Sequence, residues 1–230
     1  MALILCIETA TTVCSVALAK DGKLIASREI NEGYSHSENL TVFADEVLKE
    51  AKLKPADLNA VCVSKGPGSY TGLRIGVSAA KGFCYALEIP LISINTMCVL
   101  FEKIAMSRLV KMDDSKQLFC PMIDARRMEV YCTVFDVTRK EIKPTAAEII
   151  TENSFSDLFV DNTIYFFGDG AAKCKSIITH PNAVFIENFT PSAVFMILEA
   201  ENKFQQKQFE DVAYFEPFYL KEFIGTKKKD

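Results

Sequence analysis

Ala60-Val61-Cys62-Val63-Ser64-Lys65-Gly66-Pro67-Gly68-Ser69-Tyr70-Thr71-Gly72-Leu73-Arg74-Ile75-Gly76 joins a short apolar run to a glycine-rich turn and a helical pattern. The run Ala60 to Ser64 reads as a buried strand, and the helix is expected to continue to about Leu87. A glycine-rich turn between strand and helix exposes backbone N–H groups beside a helix dipole, a setting that suits anions. Lys65 and Arg74 would add charge. The stretch is nevertheless not a phosphate-binding P-loop, because Gly72 is followed by Leu73-Arg74 rather than Lys-Ser/Thr. Nor is it the dinucleotide pattern, whose third glycine falls one position earlier. The favoured reading is a strained loop that needs glycine geometry, followed by a closely packed helix. Gly72, Gly76 and Ala80 are spaced by four and share one helix face. Internal packing and a subunit interface both explain such a face, and the pattern does not separate them.

Working outward, Leu3 to Ile7 is a strand-length apolar run. Cys14 to Ala19 and Leu24 to Glu29 flank Lys20-Asp21-Gly22-Lys23, a hairpin signal, since Gly accepts the positive φ of a tight turn. Ser35 stands three residues before Glu38, a capping-box spacing. Leu40, Phe43, Ala44, Val47, Leu48 and Ala51 then recur at helical intervals. Beyond the decisive stretch, Leu91 to Ile94 reads as a strand and Thr96 to Leu109 as a helix. The polar stretch Lys111 to Lys116 divides the chain, with lobes expected at 1–110 and 111–230. In the second half Leu118 to Ile123, Met128 to Phe135 and Thr163 to Phe167 read as strands. Thr190 is expected to cap a helix with Pro191 at its first position, running to about Phe204 and packing back on the first lobe. Strands between helices make an α/β architecture.

The chain has 230 residues, 49% of them hydrophobic, enough for a substantial core. A net charge of −4 argues against a surface that grips nucleic acid unaided, while leaving room for a local basic patch. The eight cysteines form no Cys-x-x-Cys pair, and most sit in apolar runs, as buried thiols of a reducing cytosol do. The N-terminus has no basic leader, and its first apolar run ends at Glu8. A cytoplasmic protein without a membrane span is expected.

Few residues suit catalysis. The two histidines, His36 and His180, lie far apart, whereas a catalytic zinc normally has three protein ligands. His36 reads as a helix-start residue and His180 as loop. No Gly-x-Ser-x-Gly elbow is present. Glu8-Thr9-Ala10-Thr11 could meet a phosphate or form a polar turn, with neither reading preferred. At Asp124-Ala125-Arg126-Arg127 the arginines could hold phosphate or a carboxylate. A local ion pair with Asp124 or Glu129 is the favoured reading. The terminal Lys227-Lys228-Lys229 reads as a solvated tail, and near RNA it would help electrostatically.

Five segments in order resemble the TsaB (YeaZ) family, accessory subunits of bacterial tRNA threonylcarbamoyladenosine synthesis. They are Ile7-Glu8-Thr9-Ala10-Thr11, the stretch Lys65 to Gly76, Ile123-Asp124-Ala125-Arg126, Glu129-Val130-Tyr131 and Glu216-Pro217-Phe218-Tyr219-Leu220. The most specific is the motif loop with Gly66, Pro67, Gly68, Ser69, Thr71 and Arg74. The resemblance implies an actin-like, ribonuclease-H-type fold of two related lobes. It implies pairing with a TsaD-type transferase through the first lobe's helices, about Ser37–Lys52 and Thr71–Leu87. Leu40, Phe43, Val47, Gly72, Gly76 and Ala80 are then the expected interface residues.

It further implies a TsaE-type ATPase partner, tRNA reached through the complex, and ATP and a metal held mainly by partner subunits. No cofactor or catalytic residue of its own is expected, and homodimerisation of the isolated chain stays open. The first-strand acid is commonly Asp in the family and is Glu8 here. Asp124-Ala125-Arg126 replaces the Asp-x-Gly-type turn of nucleotide-binding relatives, so a complete ATP site is not expected. The implied function is that of a non-catalytic activator in forming N6-threonylcarbamoyladenosine at tRNA position 37. The alternatives are an ATP-dependent small-molecule kinase of the same fold and, last, a glycoprotease-type metalloprotease.

Overall fold

The computed structural model describes residues 2–33 and 35–221. Met1, Tyr34 and residues 222–230, which include the lysine tail, lie outside them. The strands are β1 (Leu3–Glu8), β2 (Cys14–Lys20), β3 (Lys23–Ile30), β4 (Ala60–Gly66), β5 (Leu91–Asn95), β6 (Gln117–Asp124), β7 (Glu129–Asp136), β8 (Glu141–Ile149), β9 (Thr163–Phe167) and β10 (Ala183–Ile186). The α-helices are α1 (His36–Glu50), α2 (Tyr70–Leu87), α3 (Thr96–Ser107), α4 (Ser156–Phe159), α5 (Ala171–Cys174) and α6 (Ile197–Gln205).

Two five-stranded sheets carry the same topology. The first runs β3-β2-β1-β4-β5 and the second β8-β7-β6-β9-β10. In each, an antiparallel meander of three strands is extended by two parallel strands. Helices follow the third, fourth and fifth strands of both halves. The duplication shows that the lobes are related.

Strand alternation explains the layers. Leu5, Ile7, Val16, Leu18, Val61 and Val63 face α1 and α2. Their neighbours Ile4, Cys6, Ala17, Cys62 and Ile92 face the other way, towards α6 and Val99 of α3. Successive side chains point to opposite faces, so a sheet covered on both sides reads as a continuous apolar run. Met97, Leu100, Phe101 and Ile104 of α3 pack against Phe119, Phe135 and Phe167 of the second sheet. Helix α6 packs on the first.

The Asp21-Gly22 hairpin forms with both residues at positive φ, 53° and 72°. Other expectations fail at helix ends. Ser35 makes no side-chain cap to α1, so the capping box with Glu38 is absent. Ser35 has φ −93° and ψ 19° rather than extended geometry, and its carbonyl accepts the Glu38 and Asn39 N–H groups instead.

Thr190 and Pro191 do not open a helix. A 3-10 turn at Ala193–Met196 precedes α6, after Ser192 in extended geometry. The first free N–H, on Ala193, is taken by the Ser15 hydroxyl of β2 at 3.1 Å. That cap comes from a residue 178 positions away, which no local pattern contains. Helix α3 ends at Ser107, before Leu109, because Arg108 turns left-handed with φ 58°. The unforeseen β8 is an edge strand containing Pro144, a residue that edges tolerate and centres do not.

Candidate functional site

The glycine motif is built against the end of β1. Ser69 caps α2 by accepting the Gly72 N–H at 3.4 Å, and its own N–H donates to the Ala10 carbonyl at 2.6 Å. A Cβ at Gly68 would lie 2.3 Å from the Ala10 carbonyl oxygen. One at Gly72 would lie 2.2 Å from the Thr9 carbonyl oxygen and 3.3 Å from the His36 ring. One at Gly76 would lie 2.2 Å from Thr9 Oγ1. The two segments therefore fill each other. Thr9 and Thr11 are buried, and the Thr9 hydroxyl donates to the Gly72 carbonyl at 2.8 Å. A nucleotide phosphate does not fit between them, so the phosphate reading of Glu8-Thr9-Ala10-Thr11 gives way to the polar turn. His36 is buried at the start of α1, with Nε2 2.9 Å from the Thr11 carbonyl oxygen, and burial lowers its pKa.

The expected interface residues need correction. Gly72, Gly76 and Ala80 are buried inside the chain and serve its own packing. Leu40 and Val47 lie in the core under α1, and Phe43 is half-buried against it. The helical stripe picked out by hydrophobicity is the inward one, because the sheet below demands more apolar surface than a partner does. The outward surface instead carries a groove of about 420 Å³ lined by Thr41, Pro55, Ala79, Gly82, Phe83, Ala86 and Leu87. Tyr85 (82% exposed) and Val42 (48% exposed) also lie on the outward faces of these helices. In the motif loop Gly66 and Pro67 are buried and joined by a cis peptide bond, while Thr71 and Arg74 are exposed.

One buried acid ends β1. Glu8 Oε1 accepts the Ala10 N–H at 2.6 Å and the Ser64 hydroxyl at 2.8 Å, whereas Oε2 has no partner. Burial raises its pKa to about 7 against these bonds. A second cavity, about 340 Å³, lies between the lobes, with Lys65, Asn95, Cys98, Arg139, Glu141, Glu199 and Lys203 in its wall. Arg139 is held there by Glu102 at 2.7 Å and Glu199 at 3.3 Å. Lys203 donates to the Ser93 carbonyl at 2.9 Å. Among the described residues no three His, Cys, Asp or Glu side chains converge as metal ligands.

The β6–β7 hairpin also departs from expectation. Asp124 pairs with Lys173 of α5, and Glu129 pairs with Lys221. Asp124 Oδ1 also accepts the Arg126 backbone N–H at 2.8 Å, but neither carboxylate forms an ion pair with the adjacent guanidiniums among the described residues, so the local ion-pair reading is overturned. Lys173 also donates to the Arg127 carbonyl at 2.7 Å and the Glu129 carbonyl at 2.6 Å, filling the loop from inside. Lys173 is distant in sequence, so no local signal could nominate it. Arg126 and Arg127 stand exposed at the tip, both left-handed, with φ 68° and 51°. Such geometry costs an L-residue about 1–2 kcal/mol. Replacing the pair with the residues that accept it, Arg126→Asn with Arg127→Gly, is expected to raise stability by about 1–2 kcal/mol in urea unfolding. A loss of stability instead would show that the guanidiniums bind elsewhere on the chain.

After α6 the chain returns across the first lobe as a strap. Lys81 of α2 donates to the Ala213 and Phe215 carbonyls at 3.1 and 3.0 Å. The Phe218 N–H donates to the Lys65 carbonyl at 2.7 Å, which sets Phe218 against the glycine loop.

Two related lobes, each a five-stranded mixed sheet of one topology, define the actin-like two-lobed α/β class. The model of the TsaD family, tRNA N6-adenosine threonylcarbamoyltransferase, matches residues 33–222, and the chain belongs to that family. Within it the chain is of the TsaB/YeaZ type. The Haemophilus influenzae tRNA threonylcarbamoyladenosine biosynthesis protein TsaB is 27% identical over 98% of this chain and 96% of its own length. A Pediococcus pentosaceus tRNA N6-adenosine threonylcarbamoyltransferase is 39% identical, but over only 41% of this chain and 32% of its own length. The solved structure of YeaZ from Pseudomonas aeruginosa superposes with a TM-score of 0.81 at 21% identity, covering 96% of this chain and all of its own (100%). No helix among the described residues is long and apolar enough to cross a membrane.

Proposed function

We propose that the chain is a non-catalytic partner and activator of a TsaD-type transferase in forming N6-threonylcarbamoyladenosine at tRNA position 37. In this reading it works in the cytoplasm and docks through the outer groove between α1 and α2. A TsaE-type ATPase joins the assembly, and ATP and metal are held mainly by those partners. The single observation that carries the docking is an apolar groove left uncovered by the chain's own core, with Tyr85 exposed on the same helix α2. Exposed aromatic and apolar residues around a shallow groove suit a helix-packing partner. The same face serves a homodimer when the transferase is absent.

Gly82 provides the test. It lies in the groove, is exposed, and has nothing within 4 Å of an added Cβ. Gly82→Arg therefore leaves the fold intact, and helix propensity favours it by about 1 kcal/mol. Its charged side chain fills the groove. Recovery of the transferase with the tagged chain is expected to fall at least about a hundredfold, the scale of a lost hot spot. Undiminished recovery would move the interface off this face.

A further inference from the structure

We propose that the Arg126-Arg127 tip, Lys221 and the Arg74–Tyr70–Tyr219 cluster form one surface that binds single-stranded RNA through its phosphates and bases. The inference rests on the tRNA-modifying role proposed above and adds the chain's own contact with that RNA.

Charge comes first. The protein as a whole carries −4, yet here three exposed arginines, Arg74, Arg126 and Arg127, stand against the exposed acid Glu216 near Tyr219. Arg74, Arg126 and Arg127 are exposed, and none has a carboxylate partner among the described residues. The two acids within the hairpin, Asp124 and Glu129, are occupied by Lys173 and Lys221. They neutralise the lysines and leave the guanidiniums available. The tip is also held outward by two consecutive left-handed residues, with its carbonyls tied down by Lys173. A strained, fixed turn that presents two arginines is better suited to a ligand than to stability.

Aromatic rings are interleaved with these cations. Tyr70 and Tyr219 lie with ring centroids 5.0 Å apart at 34°. The Arg74 guanidinium sits 5.1 Å from the Tyr70 centroid and donates to its hydroxyl at 3.1 Å. Tyr219 itself is partly exposed. From Tyr219 the strap reaches Lys221, which meets Glu129 at the foot of the hairpin. Tyr131 beside it lies in the field of both Lys221 and Arg126. The strap and the Lys221–Glu129 ion pair thus link the aromatic cluster on the first lobe to the hairpin of the second. Guanidiniums that take phosphates, next to rings that take bases, are the parts of a single-strand RNA surface. An acidic protein would use the cations and leave the tilted tyrosine pair idle. Arg74 and Tyr85 are separated by about 16 Å along α2, so RNA and the groove partner would bind side by side.

The experiment uses the full chain assembled with its transferase partner and a purified tRNA, titrated by fluorescence anisotropy from low to moderate salt. Arg126→Asn with Arg127→Gly removes both charges while easing the turn, so misfolding does not confuse the result. Expected are an affinity loss of about tenfold and a log–log salt slope shallower by about 1.4, since each phosphate contact on a single strand contributes about 0.7. Arg126→Lys with Arg127→Lys should retain most of the binding, and partner recovery should not change in either variant.

Unchanged RNA affinity and slope in the Asn/Gly variant overturns the proposal. So does loss of the partner with RNA affinity intact, which would make the surface a protein contact. If the wild-type chain forms no complex, the proposed function fails. The titration is then run on the chain alone at low salt, where the same loss supports the RNA surface and its absence refutes it.

Discussion

Gly76→Ala is expected to destabilise the protein by about 3 kcal/mol, lowering the melting temperature by about 10 °C for a chain of this size. The added methyl would meet Thr9 Oγ1 at 2.2 Å, a distance that no real Cβ tolerates. Both partners sit on rigid elements, α2 and the end of β1, so the overlap cannot relax through a flexible side chain. The prediction has an internal control. The Thr9 Cβ and Cγ2 atoms lie at 3.4 and 3.5 Å, ordinary contact, so only the hydroxyl is in the way. Thr9→Ala alone should cost about 1 kcal/mol, through loss of its bond to the Gly72 carbonyl. Combined with Gly76→Ala it should recover most of the 3 kcal/mol, a strongly non-additive pair. Gly72→Ala meets the Thr9 backbone oxygen instead, so Thr9→Ala should not rescue it. Thermal unfolding of the five variants, the three singles and the two doubles with Thr9→Ala, checks the set. Wild-type stability in Gly76→Ala would show that α2 does not lie so close to β1.

Glu8→Gln should stabilise the protein at pH 8 by about 3 kcal/mol and have little effect near pH 4.5. The Glu8 carboxyl has its pKa raised to about 7 from 4.5, chiefly by burial. The folded protein therefore holds this proton where the unfolded chain has released it. The contribution is fully present below pH 4.5 and is lost as pH rises through 7, where the buried anion must form. A shift of this size corresponds to about 3 kcal/mol. Glutamine keeps an acceptor for the Ala10 N–H and the Ser64 hydroxyl and carries no charge. Urea titrations at several pH values should show the two proteins converging on the acid side. Parallel curves across the whole range would mean that Glu8 ionises without cost, through water reaching Oε2.

These two predictions and the corrected interface share one origin, the seating of α2 on the end of β1. The stretch Ala60 to Gly76 declared a strand, a tight turn and a close-packed helix from its own residues. It did not declare what the helix is close to. Gly72 and Gly76 were equally consistent with a partner surface, and only the position of Thr9, more than sixty residues earlier, assigns them to the interior. The binding face followed from the same fact. Once the small-residue side is inward, the groove at Ala79, Gly82 and Phe83 is what remains outside.

Period and turn chemistry are local properties. They determined β1 to β5, the Asp21-Gly22 hairpin, α1 and α2, and the strands β6, β7 and β9. The family segments were likewise legible, because each is a short run of specific residues. Tertiary structure decided the rest, where the deciding atom comes from elsewhere in the chain. Ser15 starts the turn before α6, Lys173 and Lys221 take the acids from Arg126 and Arg127, and β8 exists because β7 supplies its partner. A hydrogen bond or ion pair across such separations leaves no periodic trace in sequence. It becomes visible only when folding has brought both groups to one place.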